Sequence, residues 1–343
     1  IKNESHLDNY LKNSFGFDSE NISFKDFNFN YKFGIELFIA IRFSFYLLKQ
    51  IKNKKILICR NLYAAFFAGI LLRENLIYET HTLESGIRKQ IQFLLLKEKR
   101  IKTVVISKKL REMLKDHYNF SFKNIEIFPD AAKSGLEIFS EKKKKQIIDK
   151  LLEKNYLKFS FFCGYFGHLY PGRGIEVIYE LSKRNKNFLF LIFGGTEKDI
   201  MASKKLYDSN NLIFFGFLNH IDTLKILRCV DVLLMPYQRN VSIGIKGSNT
   251  ADWMSPLKLF EYMSSGVPII SSDLPAIREI LEDRRNALLV TPNDFDNWDQ
   301  ALKRIEGDKE LSSYISKNAF EEYTKYFNWK KRAQNFIYLS KNF

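Results

Sequence analysis

Cysteine is scarce in this chain, and no catalytic or metal-binding motif built on it is present. The three cysteines, Cys59, Cys163 and Cys229, each lie in an apolar stretch, and none forms a C-x-x-C spacing. This distribution excludes a disulfide framework and a cysteine zinc site, and it favours a reducing compartment. The H-E-x-x-H, G-x-S-x-G and G-x-x-x-x-G-K motifs are also missing, which argues against zinc proteases, serine hydrolases and P-loop enzymes.

Long apolar segments and targeting signals are missing as well. The longest apolar stretch, 34–51, is interrupted by Glu36 and Arg42. No segment therefore reaches the roughly 20 apolar residues that a membrane span requires. No secretory signal pattern is found, so the sequence predicts a cytoplasmic protein.

Acidic residues are fewer than basic ones, and most of the excess of positive charge lies in the first half of the chain. The whole sequence has 54 Lys and Arg against 39 Asp and Glu, a net charge of +15. Residues 1–150 hold 28 basic and 17 acidic residues, whereas residues 151–343 hold 26 and 22. This asymmetry indicates a phosphorylated substrate, an anionic lipid surface or nucleic acid as partner, unless it is only a solvated lysine-rich surface.

Short apolar strands alternate with longer amphipathic helices, which is typical of βαβ units and parallel sheets. The first series predicts strands at 55–59, 75–79, 103–107 and 125–128, with helices at 35–51, 64–72, 83–99 and 108–116. The second series predicts strands at 159–163, 188–193, 212–215, 230–235, 268–271 and 287–290, with helices at 174–184, 221–228, 256–264, 277–281 and 295–305. The lysine-rich stretch 142–154 is interpreted as a charged helix at the domain junction. The predicted fold class is α/β, with Rossmann-like domains at 1–153 and 154–322 and a terminal segment at 323–343.

The segment 253–268 carries the most informative group of residues. Ser255 followed by Pro256 predicts a helix N-cap with proline at the first helical position. The free N–H groups of such a helix start suit a diphosphate. Glu261 lies further along the same helix, where its carboxylate can accept hydrogen bonds from two ribose hydroxyls or simply face solvent.

A second group lies between the first strand of the second series and its helix. Gly167, Gly172 and Gly174 would let the backbone approach a phosphate, and Arg173 would supply a fixed positive charge. A glycine turn of this kind is otherwise purely structural.

Histidines offer one further candidate. His81 follows the predicted strand 75–79, at the edge where ligands bind in open α/β sheets. Its imidazole could bond a sugar hydroxyl, accept a proton, or pack as a structural residue. His220 has no supporting neighbours in the sequence, and no role is assigned to it.

The ordered set of motifs resembles the retaining nucleotide-sugar glycosyltransferases of family 4, which have the GT-B fold. The segments that carry the resemblance are 78–81, 105–108, 128–130, 167–174, 193–195, 215–218, 231–237, 255–268 and 278–279. Segment 326–329 is similar to the start of the last helix, which in that fold crosses back to the N-terminal domain. The resemblance implies two Rossmann-like domains facing each other across a cleft, with the donor bound mainly by 159–290 and the acceptor by 1–140.

The resemblance also implies roles for matched residues. Arg173 would hold the donor diphosphate, Glu261 the ribose, and His81 would lie beside the transferred sugar; these three are the catalytic candidates. The donor-binding set would comprise Gly167, His168, Gly194, Phe217, Leu218, Trp253, Ser255, Pro256, Leu257 and Lys258. Within this set, Phe217 and Leu218 would line the base pocket.

Three departures from the family pattern are visible. Trp253 stands where the first glutamate of the E-x7-E motif is expected, and His168 stands where many members have a second phosphate-binding arginine. The family's opening strand and glycine-rich loop have no counterpart before residues 22–29.

The predicted reaction is transfer of a sugar from a nucleotide diphosphate sugar to a hydroxyl acceptor, such as a lipid-linked or cell-envelope saccharide. Arg173 and the helix start at 255–257 would stabilise the leaving diphosphate, so neither a metal ion nor a cofactor is predicted. The basic first half and the aromatic-rich stretch 31–55 predict peripheral contact with the anionic inner face of a membrane. Nucleic acid is not an expected partner, because no recognisable binding module is present.

Two alternatives stay open from the sequence. One is a GT-B epimerase that acts on a nucleotide sugar in the same cleft. The other is a non-enzymatic basic binding protein with a degenerate cleft, motivated by the net charge and by Trp253.

Overall fold

The computed structural model describes residues 35–50, 56–133, 137–152, 156, 158–244 and 249–343. These residues fall into two compact units. The first runs to Pro129 and also contains Lys330–Phe343, whereas the second is Asp130–Trp329. The predicted features at 22–29, and parts of the stretch 31–55, lie outside the described residues.

The first unit is built on a parallel sheet of four strands in the order β1-β2-β3-β4. The strands are β1 (Leu57–Cys59), β2 (Leu76–Thr80), β3 (Ile101–Val105) and β4 (Ile125–Ile127). The helices are α1 (Ile35–Gln50), α2 (Leu62–Phe66, continued by a π-helical turn, Phe67–Leu71), α3 (Gly86–Lys97), α4 (Lys108–Tyr118) and the chain-terminal α13 (Trp329–Ser340).

Strand β2 is buried at all five positions because helices pack on both faces of this sheet. Leu76 and Tyr78 share a core cluster with Leu47 of α1 and Leu62 of α2. Ile77 points to the opposite face, where its cluster contains Phe336 and Leu339 of α13.

The second unit contains a parallel sheet of six strands in the order β10-β9-β8-β5-β6-β7. The strands are β5 (Phe161–Phe166), β6 (Phe188–Phe193), β7 (Leu212–Gly216), β8 (Val232–Met235), β9 (Ile269–Ser272) and β10 (Leu288–Val290). The helices are α5 (Glu141–Leu151), α6 (Ile175–Arg184), α7 (Glu197–Leu206), α8 (His220–Ile226), α9 (Leu257–Met263), α10 (Pro275–Arg278), α11 (Phe295–Gly307) and α12 (Lys309–Tyr326). The strand order reverses between β5 and β8, and ligands of such sheets bind outside the carboxyl ends of the strands at this reversal.

The predicted α/β class with two parallel sheets is confirmed. Each predicted strand is present, β6 with the predicted bounds and the others with shifted ones. The charged helix predicted at 142–154 is α5 in its described part. Helices α7 and α12 were not predicted. No helix in the described residues is long and apolar enough to cross a membrane.

The predicted start of helix α9 is wrong. Pro256 is the N-cap, with φ −74° and ψ 123°, and the helix begins one residue later at Leu257. Ser255 does not cap the helix. Its Oγ accepts a hydrogen bond from the N–H of Asp130 at 2.9 Å, so the hydroxyl fixes the start of the second unit instead.

Candidate active site

The loop between β5 and α6 is held in a fixed shape by close backbone contacts. Gly172 and Gly174 have φ values of +80° and +82°. A Cβ atom at these positions would lie 1.7 Å from the carbonyl oxygen of Asn240 and 1.8 Å from that of Pro236, respectively. Only glycine fits here without moving the backbone, so the two glycines fix the position of Arg173 between them.

Arg173 is oriented by the segment that follows β8. Its Nη1 donates to the Tyr237 hydroxyl at 2.9 Å, and its Nη2 donates to the carbonyl oxygen of Ser242 at 3.0 Å. The guanidinium carbon also lies 5.1 Å from the centroid of the Tyr237 ring. These neutral partners hold the Arg173 side chain without neutralising its charge. Among the described residues, no carboxylate forms an ion pair with it.

Lys258, in the first turn of α9, places a second positive charge against the same tyrosine. Its Nζ is 4.7 Å from the centroid of Tyr237 and 4.0 Å from that of Tyr165. The Nζ is buried and has no hydrogen-bond partner among the described residues. Burial lowers the pKa of Lys258 well below its ordinary range and the charge of Arg173 lowers it further, whereas Glu261 acts in the opposite direction.

These two cations lie beside the first glycine of the loop. A Cβ atom at Gly167 would be 2.8 Å from Nζ of Lys258, so the absence of a side chain leaves the ammonium group its space. A buried lysine beside a half-buried arginine, neither with a carboxylate partner among the described residues, is unfavourable unless an anion joins them. The arrangement is therefore suited to a phosphate or diphosphate group.

A cavity of about 160 Å³ adjoins the loop at the carboxyl ends of the strands. Its wall includes the stacked rings of Phe166 and Phe193, whose centroids are 4.7 Å apart, and Phe215 stacks behind Phe193 at the same distance. The cavity is lined by six of the predicted site residues: Gly167, His168, Gly194, Phe217, Leu218 and Glu261. Residues far apart in the sequence thus meet at one site, as the predicted donor pocket requires.

Two of these residues shape the cavity in different ways. The His168 ring stacks on Tyr170, with centroids 4.7 Å apart. Burial lowers the pKa of His168, and the charges of Arg173 and Lys258 lower it further. Phe217 is 82% exposed at the cavity mouth, where its ring is free to stack on an aromatic ligand.

Glu261 makes a contact that the sequence did not indicate. Its Oε1 is 2.9 Å from Nε2 of His220, the first residue of α8. Because a carboxylate only accepts hydrogen bonds, the imidazole is the donor. The assignment of no role to His220 was therefore incomplete.

The remaining residues of segment 253–258 do not line this cavity. The N–H of Trp253 donates to the carbonyl oxygen of Thr250 at 3.2 Å within a turn, and Leu257 is half exposed. Together with Ser255 and Pro256, they form the chain segment that leads into α9. Their predicted contact with a donor stays a prediction.

His81 belongs to the first unit, and both of its ring nitrogens have partners there. Nε2 lies 2.6 Å from Oε1 of Glu79, and Nδ1 lies 3.1 Å from Nη2 of Arg60. Glu79 is also paired with the buried Arg332 at 3.2 Å. Burial raises the pKa of Glu79, but the hydrogen bond from His81 and the charge of Arg332 together lower it to about 2.

These contacts fix the orientation of the imidazole ring, because Glu79 accepts from Nε2–H and Arg60 lies against Nδ1. Contact with a sugar hydroxyl stays a prediction.

Residues 162–308 match the family model "Glycosyl transferases group 1". This matched stretch lies within the second unit. An uncharacterized glycosyltransferase of Methanocaldococcus jannaschii is 22% identical over 50% of this chain and 43% of its own length. The phosphatidyl-myo-inositol mannosyltransferase of Mycolicibacterium smegmatis is 26% identical over 46% of this chain and 38% of its own. These matches thus span less than half of each curated relative.

Solved structures extend the similarity to both units. Anabaena HepE in complex with UDP and glucose has a TM-score of 0.72 at 15% identity, covering 93% of this chain and 85% of that one. A glycosyltransferase from Rickettsia africae has a TM-score of 0.70 at 15% identity, with the same coverage. The expected GT-B fold is therefore confirmed.

The stretch that matches the family model contains cavity residues that sequence reasoning missed. Thr223 and Gly195 line the cavity, and His220 supports its carboxylate. His220 and Thr223 follow the matched segment 215–218 by a few residues, on the first turn of α8. Their closeness in sequence to segment 215–218 was the signal that could have identified them as site residues. In the described residues, no group of three or more His, Cys, Asp or Glu side chains is arranged to hold a metal ion.

Proposed function

We propose that this protein transfers a sugar from a nucleotide diphosphate sugar to a hydroxyl acceptor, with retention of configuration, as family 4 glycosyltransferases do. The observation that carries the proposal is the pair of cations at the loop after β5. Arg173 and Lys258 lie against the Tyr237 ring, and the described residues contribute no ion pair to either. A diphosphate would supply the opposite charge, and the adjoining cavity would take the nucleoside.

The roles follow from the chemistry of each lining group. The carboxylate of Glu261 would accept hydrogen bonds from the ribose hydroxyls, and Phe217 and Leu218 would contact the base. The neutral His168 imidazole would lie near the phosphates without adding a charge. The complex of HepE with UDP and glucose supports a uridine nucleotide as the first donor to test.

In the proposed reaction, the bond between the anomeric carbon and the diphosphate oxygen breaks, and the oxygen retains the bonding electrons. The acceptor oxygen bonds to the anomeric carbon, and its hydroxyl proton is released. Negative charge on the leaving diphosphate grows during this step, so Arg173 and Lys258 would stabilise the transition state more than the bound substrate. We propose that these two cations make a metal ion unnecessary.

The acceptor is proposed to be a saccharide, lipid-linked or part of the cell envelope. The name of the M. smegmatis relative, a phosphatidyl-myo-inositol mannosyltransferase, supports a lipid-linked one. Helix α1 supports a peripheral contact with an anionic membrane, because Ala40 and Leu47 are buried while Phe38 and Phe45 on its other side are 46% and 64% exposed. Arg42 on the same helix would face lipid phosphates.

Nucleotide binding tests the donor site. UDP, GDP and ADP, with their sugar derivatives, would be added in a thermal-unfolding assay, and bound sugar donors then tested for transfer with and without a chelator. A nucleotide at 100 times its Kd should raise the free energy of unfolding by about 2.7 kcal/mol. Arg173→Ala should abolish the effect, while Lys225→Ala, on exposed α8 surface, should retain it. Absence of stabilisation by every nucleotide would refute the proposal.

Other outcomes would redirect the proposal. Isomerisation of the donor without an acceptor would identify an epimerase, and salt-dependent retention of oligonucleotides without nucleotide binding would identify a basic binding protein. Loss of transfer with a chelator, restored by magnesium, would overturn the metal-free reaction.

Vesicle flotation tests the membrane contact. Phe45→Ser should weaken binding to anionic vesicles at low salt, whereas Ile87→Ser, which changes an exposed apolar residue on α3, should not. Equal and poor retention by anionic and neutral vesicles would leave a soluble acceptor as the better proposal.

A further inference from the structure

His220 is held in a defined place at the start of α8. The Asn219 side chain caps this helix by accepting from the N–H of Asp222 at 2.8 Å, and the Thr223 hydroxyl donates to the carbonyl oxygen of Asn219 at 2.9 Å. The His220 side chain is only 33% exposed, and its Nε2 reaches Oε1 of Glu261 at 2.9 Å. The imidazole thus approaches the carboxylate from a fixed element.

The contact leaves one carboxylate oxygen available to a ligand. Oε1 of Glu261 is engaged by His220, while Oε2 has no hydrogen bond within the described part of the chain. The Glu261 side chain is 16% exposed and lines the cavity. Oε2 is therefore the oxygen that a hydroxyl in the cavity would contact.

Glu261 also acts on the neighbouring basic group. Its charge raises the pKa of Lys258, against the effects of burial and of the Arg173 charge.

We propose that His220 is a positioning residue that holds the Glu261 carboxylate toward the vicinal hydroxyls of the ribose. This inference rests on the proposed nucleotide-sugar site and adds to it the residue that sets its preference for ribonucleotides. A purely structural histidine would affect all nucleotides equally. A positioning histidine affects only those that have ribose hydroxyls.

Calorimetric titration with UDP and with 2′,3′-dideoxyuridine diphosphate separates these roles. His220→Ala should weaken UDP binding about tenfold, the usual effect of losing one hydrogen bond to a charged group. It should leave binding of the dideoxy analogue unchanged. His220→Gln, whose amide N–H can replace the Nε2–H, should restore most of the difference, and Lys225→Ala on the same helix should resemble the wild type.

Glu261→Ala completes the experiment. It should weaken UDP binding at least as much as His220→Ala, and the double variant should lose no more than Glu261→Ala alone. Equal weakening of both nucleotides by His220→Ala, or no weakening of UDP, would overturn the role of His220 while the Glu261 result leaves the ribose site intact. If the wild type and Glu261→Ala bind UDP and its analogue alike, the proposed ribose site fails as well.

Discussion

Lys258 should take up a proton when a nucleoside diphosphate binds. In the free protein its buried Nζ lies 4.0 Å from the Tyr165 centroid without a hydrogen-bond partner among the described residues, and burial holds its pKa well below the ordinary value of a lysine. A diphosphate beside Nζ would favour the charged form and raise this pKa. Binding and protonation are therefore linked at every pH between the pKa of the free protein and that of the complex.

The direction and the size of the pH dependence of diphosphate affinity follow from the titration of Lys258 alone. Because the complex binds the additional proton, affinity falls as pH rises through this interval. The slope for one proton is at most about tenfold per pH unit, or about 1.4 kcal/mol. Measurements from about pH 7 upward avoid the second ionisation of the phosphate itself.

The assay is titration calorimetry in two buffers of different ionisation enthalpy, repeated from about pH 7 to 10. The difference in apparent enthalpy gives the number of protons taken up. Wild-type protein should take up a fraction of a proton that changes with pH, and Lys258→Met, which keeps the side-chain length, should take up none. No uptake by the wild type at any pH in this range, or an equal uptake by the variant, would refute the reasoning.

Although Lys258→Met should weaken the link between diphosphate binding and protonation, it should stabilise the free protein. The unfolded chain binds the lysine proton with an ordinary pKa, whereas the folded chain binds it more weakly, so Lys258 destabilises the free protein below about pH 10. Lys258→Met should therefore raise the free energy of unfolding at neutral pH by about 1 to 3 kcal/mol. A fall in stability would indicate a partner for Nζ.

Three further predictions concern binding and stability. Glu261→Ala should weaken UDP binding by about 1 to 3 kcal/mol in calorimetry, and unchanged affinity would contradict its assignment to the ribose. Gly174→Ala should destabilise the protein by more than about 1 kcal/mol in thermal unfolding, since its Cβ would lie 1.8 Å from a carbonyl oxygen, while Gly307→Ala has open space and should be neutral. Glu79→Gln should destabilise by about 3 kcal/mol at pH 7 in denaturant unfolding, because Arg332 loses its charge partner. Since the pKa of Glu79 is lowered to about 2, this difference should be complete above about pH 5 and shrink on acidification toward pH 2, and a difference independent of pH would contradict the ion pair.

Buried parallel strands were predictable because each is a short, continuous apolar run. Strand β6, Phe188–Phe193, is buried at all six positions and was predicted with its observed bounds. Helix α7 was missed because its apolar residues do not repeat with helical spacing. Its capping box, in which the Thr196 hydroxyl and the Asp199 carboxylate each accept from the other's backbone N–H, was the signal that could have indicated it.

Candidate site residues could be predicted where a motif occupies one stretch of chain, and not where contacts join distant stretches. Arg173 and Glu261 were predicted from such stretches together with the family resemblance, and their roles stay predictions. The contact between His220 and Glu261 joins residues 41 positions apart and depends on how α8 and α9 lie at the sheet edge. The absence of a hydrogen-bond partner for Lys258 among the described residues likewise could not be predicted, since no local sequence pattern shows which side chains will reach its Nζ.

The first unit is discontinuous, and this has a consequence for biosynthesis. Its last helix, α13, leaves the ribosome only after Asp130–Trp329 has been made. Until then, the sheet face around Ile77 lacks the cover of Phe336, and the Glu79 carboxylate lacks the guanidinium group of Arg332. The residues Asp130–Trp329 of the second unit are complete first, so the unit whose synthesis begins earlier completes its packing later.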